Sequence, residues 1–251
     1  MKVLGIIPAR FNSSRFPGKP LATIGGKPMI LHVIERAAEC KEISKIIVAT
    51  DNHTILDTVI KHGYEAMFTS ENHPTGTDRC AEVLGKMEEK FDVCLNIQGD
   101  EPFLNPEQLR SIINCFQNSE CQIATLKHKI EENDELFSPD AVKVLTDINS
   151  KALYFSRSPL PYLRDQNNQD WVTQRDYFRH IGLYGFKVDV LLEVSKIEES
   201  PLEKAEKLEQ LRWMENGYSI FVAQSFKPNI AVDTPADLRK AENYYKSQLQ
   251  G

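Results

Sequence analysis

The sequence predicts a three-layer α/β fold, in which a mostly parallel sheet carries helices on both faces. Short apolar runs typical of buried strands alternate with segments of helical periodicity through the first third of the chain. Such a β-α-β-α order is typical of parallel sheets, whose strands are joined by crossing helices. A chain of 251 residues is long enough for one large α/β domain or one domain with an insertion.

Apolar and β-branched runs predict strands at residues 3–8, 45–50, 65–69 and 93–97. Apolar residues at helical spacing predict helices between them, around 30–37, from 55 to a stop at Gly63, and over 79–90. A further helix begins at Asn105, an N-cap residue that Pro106 follows at the first helical position.

The middle of the chain has a different pattern, with strand-like runs and few helical periods. The predicted strands lie at 122–129, 141–146, 152–156 and 180–188. Residues 160–176 are polar and rich in Pro, Asn and Gln, which predicts an extended loop. We interpret 123–187 as a partly antiparallel insertion that forms subunit contacts in a homodimer.

The end of the chain returns to the α/β pattern. The sequence predicts a helix over 203–216, a strand over 218–224 and a last helix from Pro235. No internal repeat or flexible linker interrupts the chain, so we expect one domain over 1–251 that contains the insertion.

Composition excludes several classes of protein. Thirty basic residues stand against 36 acidic ones, for a formal charge of −6, which disfavours nonspecific nucleic-acid binding. Five cysteines without a C-x-x-C pair disfavour a disulfide framework or a zinc site and favour a reducing compartment. The apolar run near Met1 is too short for a signal sequence or a membrane span, so we expect a cytoplasmic protein without membrane insertion.

The loop after the first strand is basic. Arg10, Arg15 and Lys19 place three cations within ten residues, between small residues and glycine. Dispersed positive charge on such a backbone suits a polyphosphate, although a solvated basic loop is the alternative. The loop matches neither the P-loop pattern nor the dinucleotide-binding glycine pattern.

Two other predicted loops carry carboxylates. One loop follows the strand at 93–97, and the other precedes the last helix. Asp100 and Glu101 come directly after Gly99, where Mg²⁺ could bind or where an Asx turn or helix cap could form. Asp233 either caps the last helix or reaches Asp100 as a second metal ligand, and the spacing does not choose between these.

The segment from Pro74 to Arg79 leads into a helix. Its glycine and hydroxyl groups could hold a nucleobase or a ribose through backbone hydrogen bonds, or form an ordinary capped turn.

Seven segments, in this order and at compatible spacing, resemble sugar nucleotidyltransferases that activate 3-deoxy-2-keto acids. They lie at 7–21 (IPARFNSSRFPGKPL), 75–79 (TGTDR), 96–102 (NIQGDEP), 154–161 (YFSRSPLP), 180–186 (HIGLYGF), 206–217 (EKLEQLRWMENG) and 232–238 (VDTPADL). The resemblance runs from end to end and implies a Rossmann-like sheet of the nucleotide-diphospho-sugar transferase type.

The resemblance also implies a reaction. The anomeric hydroxyl of a keto sugar, 3-deoxy-D-manno-octulosonate (Kdo), attacks the α-phosphorus of CTP, and diphosphate leaves, in a step of lipopolysaccharide biosynthesis. It implies Mg²⁺ as cofactor, in two ions of which one is carried with CTP. A relative that activates 8-amino-Kdo or sialic acid is the alternative, and a non-catalytic nucleotide-binding subunit is disfavoured because Lys19, Asp100 and Asp233 are all present.

Roles for individual residues follow from the same resemblance. Lys19, Asp100 and Asp233 are the implied catalytic residues, and the two aspartates are the implied metal ligands. The implied nucleotide-binding residues are Pro8, Ala9, Arg10, Arg15, Lys19, Gly76, Thr77, Asp78 and Arg79. The implied sugar-binding residues are Gln98, Arg157, His180, Tyr184, Glu209 and Gln210.

Some of these residues have an ordinary structural interpretation as well. His180 could be a histidine at the edge of the core with a backbone partner, and Tyr184 could serve packing alone. Glu209 and Gln210 lie on a charged helix, where a solvated face is the usual arrangement.

Overall fold

The structure, a computed structural model, describes residues 1–13, 15–227 and 230–248. Ser14 of the basic loop therefore lies outside the described residues. The chain divides into two compact units, the first formed by 1–110 together with 229–251 and the second by 111–228. No helix in the described ranges is long and apolar enough to cross a membrane.

The strands, in chain order, are β1 (Val3–Ala9), β2 (Thr23–Ile24), β3 (Lys27–Pro28), β4 (Ile43–Thr50), β5 (Ala66–Phe68), β6 (Val93–Asn96), β7 (Ile123–Ile130), β8 (Lys143–Thr146), β9 (Ala152–Ser156), β10 (Tyr177–Lys187) and β11 (Ile220–Ser225). The helices are α1 (Met29–Ala38), α2 (His53–Lys61), α3 (Gly76–Lys86), α4 (Pro106–Cys115), α5 (Asn133–Phe137), α6 (Trp171–Gln174), α7 (Val188–Val194), α8 (Pro201–Glu206), α9 (Gln210–Glu215) and α10 (Pro235–Gln248). Short 3₁₀ turns cover Lys19–Leu21 and Asn168–Asp170.

The first unit contains a parallel sheet in the order β6-β1-β4-β5. Six of the seven residues of β1 are buried, because a strand covered on both faces carries apolar side chains in both directions. The carboxyl ends of β1, β4 and β6 open at the same edge of this sheet. The predicted parallel α/β fold is confirmed, and the loops after these strands meet at that edge.

One glycine shows how closely these loops pack. A Cβ atom added to Gly99 would lie 2.6 Å from the carbonyl oxygen of Pro8, closer than real Cβ contacts allow. Only glycine therefore lets the loop after β6 pass directly over the end of β1. This contact brings the residues that follow the two strands into one place.

The second unit contains a mixed sheet. Strand β11 pairs in parallel with β7, whereas β10 pairs antiparallel with β7 and β8, and β8 and β9 form an antiparallel pair. The predicted antiparallel strands of the middle segment are confirmed. The segment 123–187 lies within this unit, and its role in dimerisation remains a prediction.

Two predictions of the sequence analysis are wrong in the second unit. Residues 160–176 are not entirely an extended loop, because Trp171 is 2% exposed and begins the short helix α6 against Tyr177 and Leu136. The helix predicted over 203–216 is two helices, α8 and α9. Lys207 ends α8 in the left-handed conformation (φ 53°), which breaks the helical path.

Candidate active site

A cavity of about 270 Å³ lies at the carboxyl edge of the parallel sheet of the first unit. Its wall combines the basic loop, the start of α3, the loop after β6 and the residue before Thr234. The lining residues are Pro8, Ala9, Arg10, Ser13, Arg15, Lys19, Pro20, His73, Pro74, Thr75, Gly76, Arg79, Gln98, Gly99, Asp100 and Asp233.

Lys19 is the centre of the charged part of this cavity. Its Nζ atom lies 2.7 Å from Oδ2 of Asp100 and 3.1 Å from Oδ1 of Asp233. Arg15 contacts the same Oδ1 atom of Asp233 at 3.1 Å. The side chain of Lys19 is only 13% exposed, whereas Asp100 and Asp233 are 29% and 38% exposed. Three of the residues assigned to catalysis are therefore in direct contact.

A backbone hydrogen bond brings the two aspartates together. The N–H of Val232 donates to the carbonyl oxygen of Asp100 over 2.9 Å, although the two residues lie on distant segments of the chain. Gly18, with φ of 71°, turns the basic loop so that Lys19 begins the 3₁₀ turn. These backbone features hold Lys19 and both carboxylates in place.

The cap of α10 excludes one of the two interpretations of Asp233, that of a helix cap. The hydroxyl of Thr234 accepts a hydrogen bond from the backbone N–H of Asp237, and the carboxylate of Asp237 accepts one from the N–H of Thr234. This reciprocal arrangement is a capping box. The hydroxyl of Thr234 also donates a hydrogen bond to the carboxylate of Asp237, which lowers the pKa of Asp237. Thr234 is therefore the cap, and the carboxylate of Asp233 faces Lys19 instead.

The donor set fits a magnesium ion. Because Asp100 and Asp233 both bond the Nζ atom of Lys19, their carboxylates are close enough to share one cation. Mg²⁺ in phosphate-transfer sites is commonly held by one or two carboxylates, with substrate phosphates and waters completing its shell. In the described part of the chain no three His, Cys, Asp or Glu side chains form a metal-binding cluster, so a metal cage made of protein ligands alone is not found there.

Arg79 lines the cavity, but its guanidinium group is bonded to other side chains of the protein. Its side chain is 3% exposed, and its Nη2 atom lies 2.8 Å from the carboxylate of Asp51. The Nη1 atom donates to the hydroxyl of Thr69 over 2.5 Å. Asp51 also accepts a long hydrogen bond of 3.4 Å from the N–H of Phe11 in the basic loop. Arg79 and Asp51 thus form a nearly buried ion pair that joins α3 to this loop.

The other residues at the start of α3 have different positions. Thr75 and Asp78 form a capping box, in which each side chain accepts from the backbone N–H of the other residue. Thr77 is 1% exposed and does not line the cavity. Gly76 does line it, so the backbone at the first residue of α3 faces the open space.

His73 is a cavity residue that the sequence analysis did not select. It makes a short contact with Glu82 of α3, whose carboxylate also accepts from the N–H of Ser70. Burial by itself raises the pKa of Glu82, but the hydrogen bonds from Lys86, Ser70 and His73 outweigh burial and lower the pKa to about 2. Glu82 therefore stays ionised and fixes the ring of His73 at the wall.

Two of the predicted sugar-binding residues, His180 and Tyr184, are in contact in the second unit. The ring of His180 packs against Phe155 and Tyr184, with centroid distances of 5.0 and 5.3 Å. Desolvation of this ring lowers the pKa of His180 to about 3, so the ring is neutral at pH 7. Its Nε2 atom lies 2.9 Å from the hydroxyl of Thr125, which is a side-chain partner and not the backbone partner of the structural interpretation.

An interruption of the sheet places the Tyr184 side chain. The pairing of β10 with β7 is irregular between Ile181 and Gly185, and Thr125 donates to the carbonyl oxygens exposed there. Burial, together with the negative charge of Glu209, raises the pKa of Tyr184 well above its usual value. Tyr184 packs edge to face with Trp213, at 5.2 Å between ring centroids.

Three buried polar atoms on β10 and α9 lack a hydrogen-bond partner within the described residues. They are the hydroxyl of Tyr184, Nε2 of Gln210 and Nε1 of Trp213. Buried polar atoms usually have partners, because leaving one unpaired costs about 1–3 kcal/mol. Gln210 is 5% exposed, so it is not on the solvated helix face that charge patterning favours. Glu209 is partly exposed and lies 3.6 Å from Arg212.

Arg157 is held rigidly in the second unit. Its Nε atom donates to the carbonyl oxygen of Glu206 over 2.7 Å, and Nη1 donates to that of Pro139 over 2.8 Å. The backbone N–H of Arg157 donates to the carboxylate of Glu206. Gln98, the remaining residue assigned to the sugar, belongs to the first unit and lines its cavity.

A model of one protein family, described as "Cytidylyltransferase", matches residues 4–222 of the chain. The chain belongs to the cytidylyltransferase family. The family membership that the seven motifs predicted is therefore confirmed.

Individual cytidylyltransferases are similar over nearly their whole length. The protein named 3-deoxy-manno-octulosonate cytidylyltransferase of Fusobacterium nucleatum is 47% identical, over 98% of both chains. The protein of the same name from Parabacteroides distasonis is 46% identical, over 96% of this chain and 97% of its own.

Solved structures of cytidylyltransferases are similar to this chain as well. A CMP:2-keto-3-deoxy-manno-octonic acid synthetase complexed with CTP superposes with a TM-score of 0.92, at 39% identity, and covers 99% of this chain and 100% of its own. A 4-diphosphocytidyl-2C-methyl-D-erythritol synthase from Anaerococcus prevotii has a TM-score of 0.61 at 18% identity, over 98% and 99% of the two chains, which shows a shared fold.

The cysteines of this cytidylyltransferase are free thiols. Cys40, Cys80, Cys94 and Cys121 are buried, and Cys115 is partly buried. Burial raises the pKa of Cys40 and Cys115 to about 11 and that of Cys121 to about 12. These three thiols are therefore protonated and poor nucleophiles at neutral pH.

Several cavity residues were absent from the sequence-based set, namely Ser13, Pro20, His73, Pro74, Thr75 and Gly99. Four of them belong to the motifs, namely Ser13, Pro20, Thr75 and Gly99, and the other two directly precede the motif that begins at Thr75. The whole motif loops, and not only their charged residues, therefore predict the wall of the cavity.

Proposed function

We propose that this protein transfers CMP from CTP to Kdo, forming CMP-Kdo and diphosphate for lipopolysaccharide biosynthesis. One observation carries the proposal: proteins named 3-deoxy-manno-octulosonate cytidylyltransferase are 43–47% identical to it over nearly the full length of both. The cavity of the first unit supports it, because cations and carboxylates that suit a triphosphate and a metal line the same space.

The basic loop binds the phosphates of CTP. Arg10, Arg15 and Lys19 all line the cavity and distribute positive charge along one wall. Charge-assisted hydrogen bonds from such groups neutralise the triphosphate and, as it leaves, the diphosphate. Gly76 lines the same cavity beside Arg79, and these residues, with Thr77 and Asp78 behind them, form the proposed cytidine side.

Asp100 and Asp233 are the residues that would hold Mg²⁺, and a second Mg²⁺ would enter with CTP. A bound divalent ion neutralises phosphate charge and lowers the pKa of a coordinated hydroxyl. Lys19 bonds both carboxylates and so orients them at the cavity.

The second unit supplies most of the proposed sugar-binding residues. Tyr184 and Gln210 carry unpaired buried polar atoms, which suit the hydroxyl groups of a sugar. Glu209 is a further hydroxyl partner, and neutral His180 adds a polar ring without adding charge. Arg157 suits the carboxylate of Kdo, because its fork is already oriented by two carbonyl oxygens. Gln98, which lines the cavity of the first unit, is the remaining residue assigned to the sugar.

The reaction is a single displacement at phosphorus. The anomeric hydroxyl oxygen of Kdo bonds to the α-phosphorus, the bond between that phosphorus and the β-phosphate oxygen breaks, and the hydroxyl proton passes to solvent. The protein contributes position and charge, so no covalent enzyme intermediate is needed.

We propose further that the protein acts in the cytoplasm as a homodimer. Free thiols support a reducing compartment. Apolar side chains of the segment 123–187 support an interface, because Ile148, Tyr162 and Leu153 are 100%, 73% and 59% exposed.

Diphosphate release from CTP in the presence of Mg²⁺ tests the proposed function. Kdo, 8-amino-Kdo and N-acetylneuraminate are offered in parallel, each together with CTP. A further sample contains CTP without a sugar. We expect the highest kcat/KM with Kdo and no release without a sugar. Faster release with either of the other acids, or equal release from all three, would contradict the assignment to Kdo.

A further inference from the structure

Two cations and two carboxylates of the cavity form a cluster in which their charges cancel. Lys19 bonds both Asp100 and Asp233, and Arg15 bonds Asp233. Two positive and two negative groups give this cluster no net charge. A neutral cluster attracts neither a polyanion nor a divalent cation as strongly as its separate halves would.

The two halves of the cluster serve different ligands under the proposed function. Lys19 and Arg15 are assigned to the triphosphate, whereas Asp100 and Asp233 are assigned to the divalent ion. The contacts at 2.7 and 3.1 Å occupy the atoms of both halves that those ligands would use. One set of partners must therefore be exchanged for the other when the ligands bind.

We propose that Lys19 is an internal counter-ion that occupies the metal site, and that its release couples divalent-ion binding to CTP binding. Asp100 and Asp233 exchange Lys19 for the divalent ion, and Lys19 and Arg15 turn to the triphosphate. The coupling is reciprocal, because two ligands that favour the same rearrangement raise each other's affinity. This inference rests on the proposed function and adds a binding linkage to it.

The architecture suits an exchange that needs little backbone movement. The hydrogen bond between Val232 and Asp100 fixes the carboxylate side, and the turn at Gly18 fixes the start of the Lys19 backbone. Between these fixed points lies a lysine side chain with four flexible methylene groups and a strongly hydrated head. Since the side chain of Lys19 is only 13% exposed, its ammonium group leaves the carboxylates most readily for another anion.

Binding of CTP in the presence of EDTA separates this proposal from a role in metal binding alone. Asp233→Asn and Asp100→Asn each remove one negative partner of Lys19 while they preserve side-chain shape. We expect both variants to bind metal-free CTP more tightly than the wild type, roughly five-fold by calorimetry at low ionic strength, as expected for the loss of a partly exposed ion pair. The gain is larger for Asp233→Asn, because Asp233 holds Arg15 as well.

Asp237→Asn is the matched control. Asp237 lies on the same segment as Asp233 and loses the same charge, but its carboxylate accepts from the N–H of Thr234 and pairs with Lys240 instead of Lys19. Its CTP affinity in EDTA should stay within about two-fold of the wild type, because an amide oxygen still accepts the capping hydrogen bond. The double variant Lys19→Met with Asp233→Asn should lose most of the gain.

Two results would overturn the proposal. One is unchanged or weaker binding of metal-free CTP by both Asp100→Asn and Asp233→Asn with intact circular dichroism. The other is an equal gain in Asp237→Asn, which would reflect net charge alone. Either result leaves the proposed function standing if the wild type still forms CMP-Kdo with Mg²⁺, so the two failures are distinguishable.

Discussion

The backbone N–H of Val232 donates a hydrogen bond of 2.9 Å to the carbonyl oxygen of Asp100. Because Asp233 follows Val232 directly, this bond places the carboxylates of Asp100 and Asp233 on either side of Lys19. The cavity is thus completed by a segment from the far end of the chain, which belongs to the first unit.

Loss of either carboxylate should strongly reduce turnover. We expect Asp100→Asn and Asp233→Asn each to reduce kcat with Mg²⁺ by at least about 100-fold, because each removes a proposed ligand of the ion that stabilises transition-state charge. Circular dichroism should show an unchanged fold. Near-normal kcat in either variant would remove that residue from the metal site, and Asp237→Asn serves as the control that keeps activity.

The ion pair between Asp51 and Arg79 should contribute to stability. Asp51→Ala leaves the 3% exposed guanidinium of Arg79 without its anionic partner, so we expect a loss of about 3 kcal/mol in the free energy of unfolding by urea. Asp57→Ala, at an exposed position of α2, should change it by less than about 0.5 kcal/mol. Equal effects of the two substitutions would show that the pair is not structural.

Stability should depend on pH through His180. Its pKa falls from 6.5 in the unfolded chain to about 3 in the fold, so the unfolded state binds more protons between these values. Its contribution is complete above pH 6.5 and is lost as pH falls from 6.5 towards 3. Between about pH 7.5 and 5, urea unfolding of the wild type should lose on the order of 1–2 kcal/mol more than that of His180→Gln. Identical pH dependence in both proteins would show that the ring is not desolvated.

Substitution of Arg157 should affect the two substrates differently. We expect Arg157→Ala to raise KM for Kdo by more than about ten-fold and to leave KM for CTP within about two-fold, because it removes the proposed carboxylate contact. Arg157→Lys keeps the charge but not the planar fork, and its KM for Kdo should lie between the two. A similar rise in both KM values would contradict the assignment to the sugar.

Exposed apolar residues of the second unit should determine the oligomeric state. Ile148 is fully exposed, so Ile148→Asp should convert a dimer to monomers at micromolar concentration, as measured by light scattering. The matched substitution Ile60→Asp, at a 53% exposed position in the first unit, should leave the dimer intact. A wild-type protein that is monomeric in this assay would refute the proposed dimer.

The parallel strands could be predicted because strands buried on both faces form continuous apolar runs, as in β1 and β4. The break at Lys207 could not, since a lysine in the left-handed conformation has no characteristic sequence pattern. The helix at Trp171 was missed for a different reason. Its polar surroundings suggested a loop, whereas one buried aromatic side chain packed on Tyr177 orders the segment.

The site residues could be predicted where they follow strand ends, as Lys19 and Asp100 do. Their pairing could not, because the hydrogen bond from Val232 to Asp100 joins segments that are distant in sequence. Nor could the sequence reveal that Arg79 is already bonded to Asp51. Such contacts depend on tertiary packing, which leaves no periodic pattern in the chain.

Anomalous diffraction from crystals grown with Mn²⁺ and CTP tests the central claim most directly, since Mn²⁺ accepts the same oxygen ligands as Mg²⁺. We predict an anomalous peak within about 2.3 Å of carboxylate oxygens of both Asp100 and Asp233, with Lys19 turned to a phosphate. A peak bound by phosphates alone, with Lys19 still bridging both carboxylates, would contradict the account.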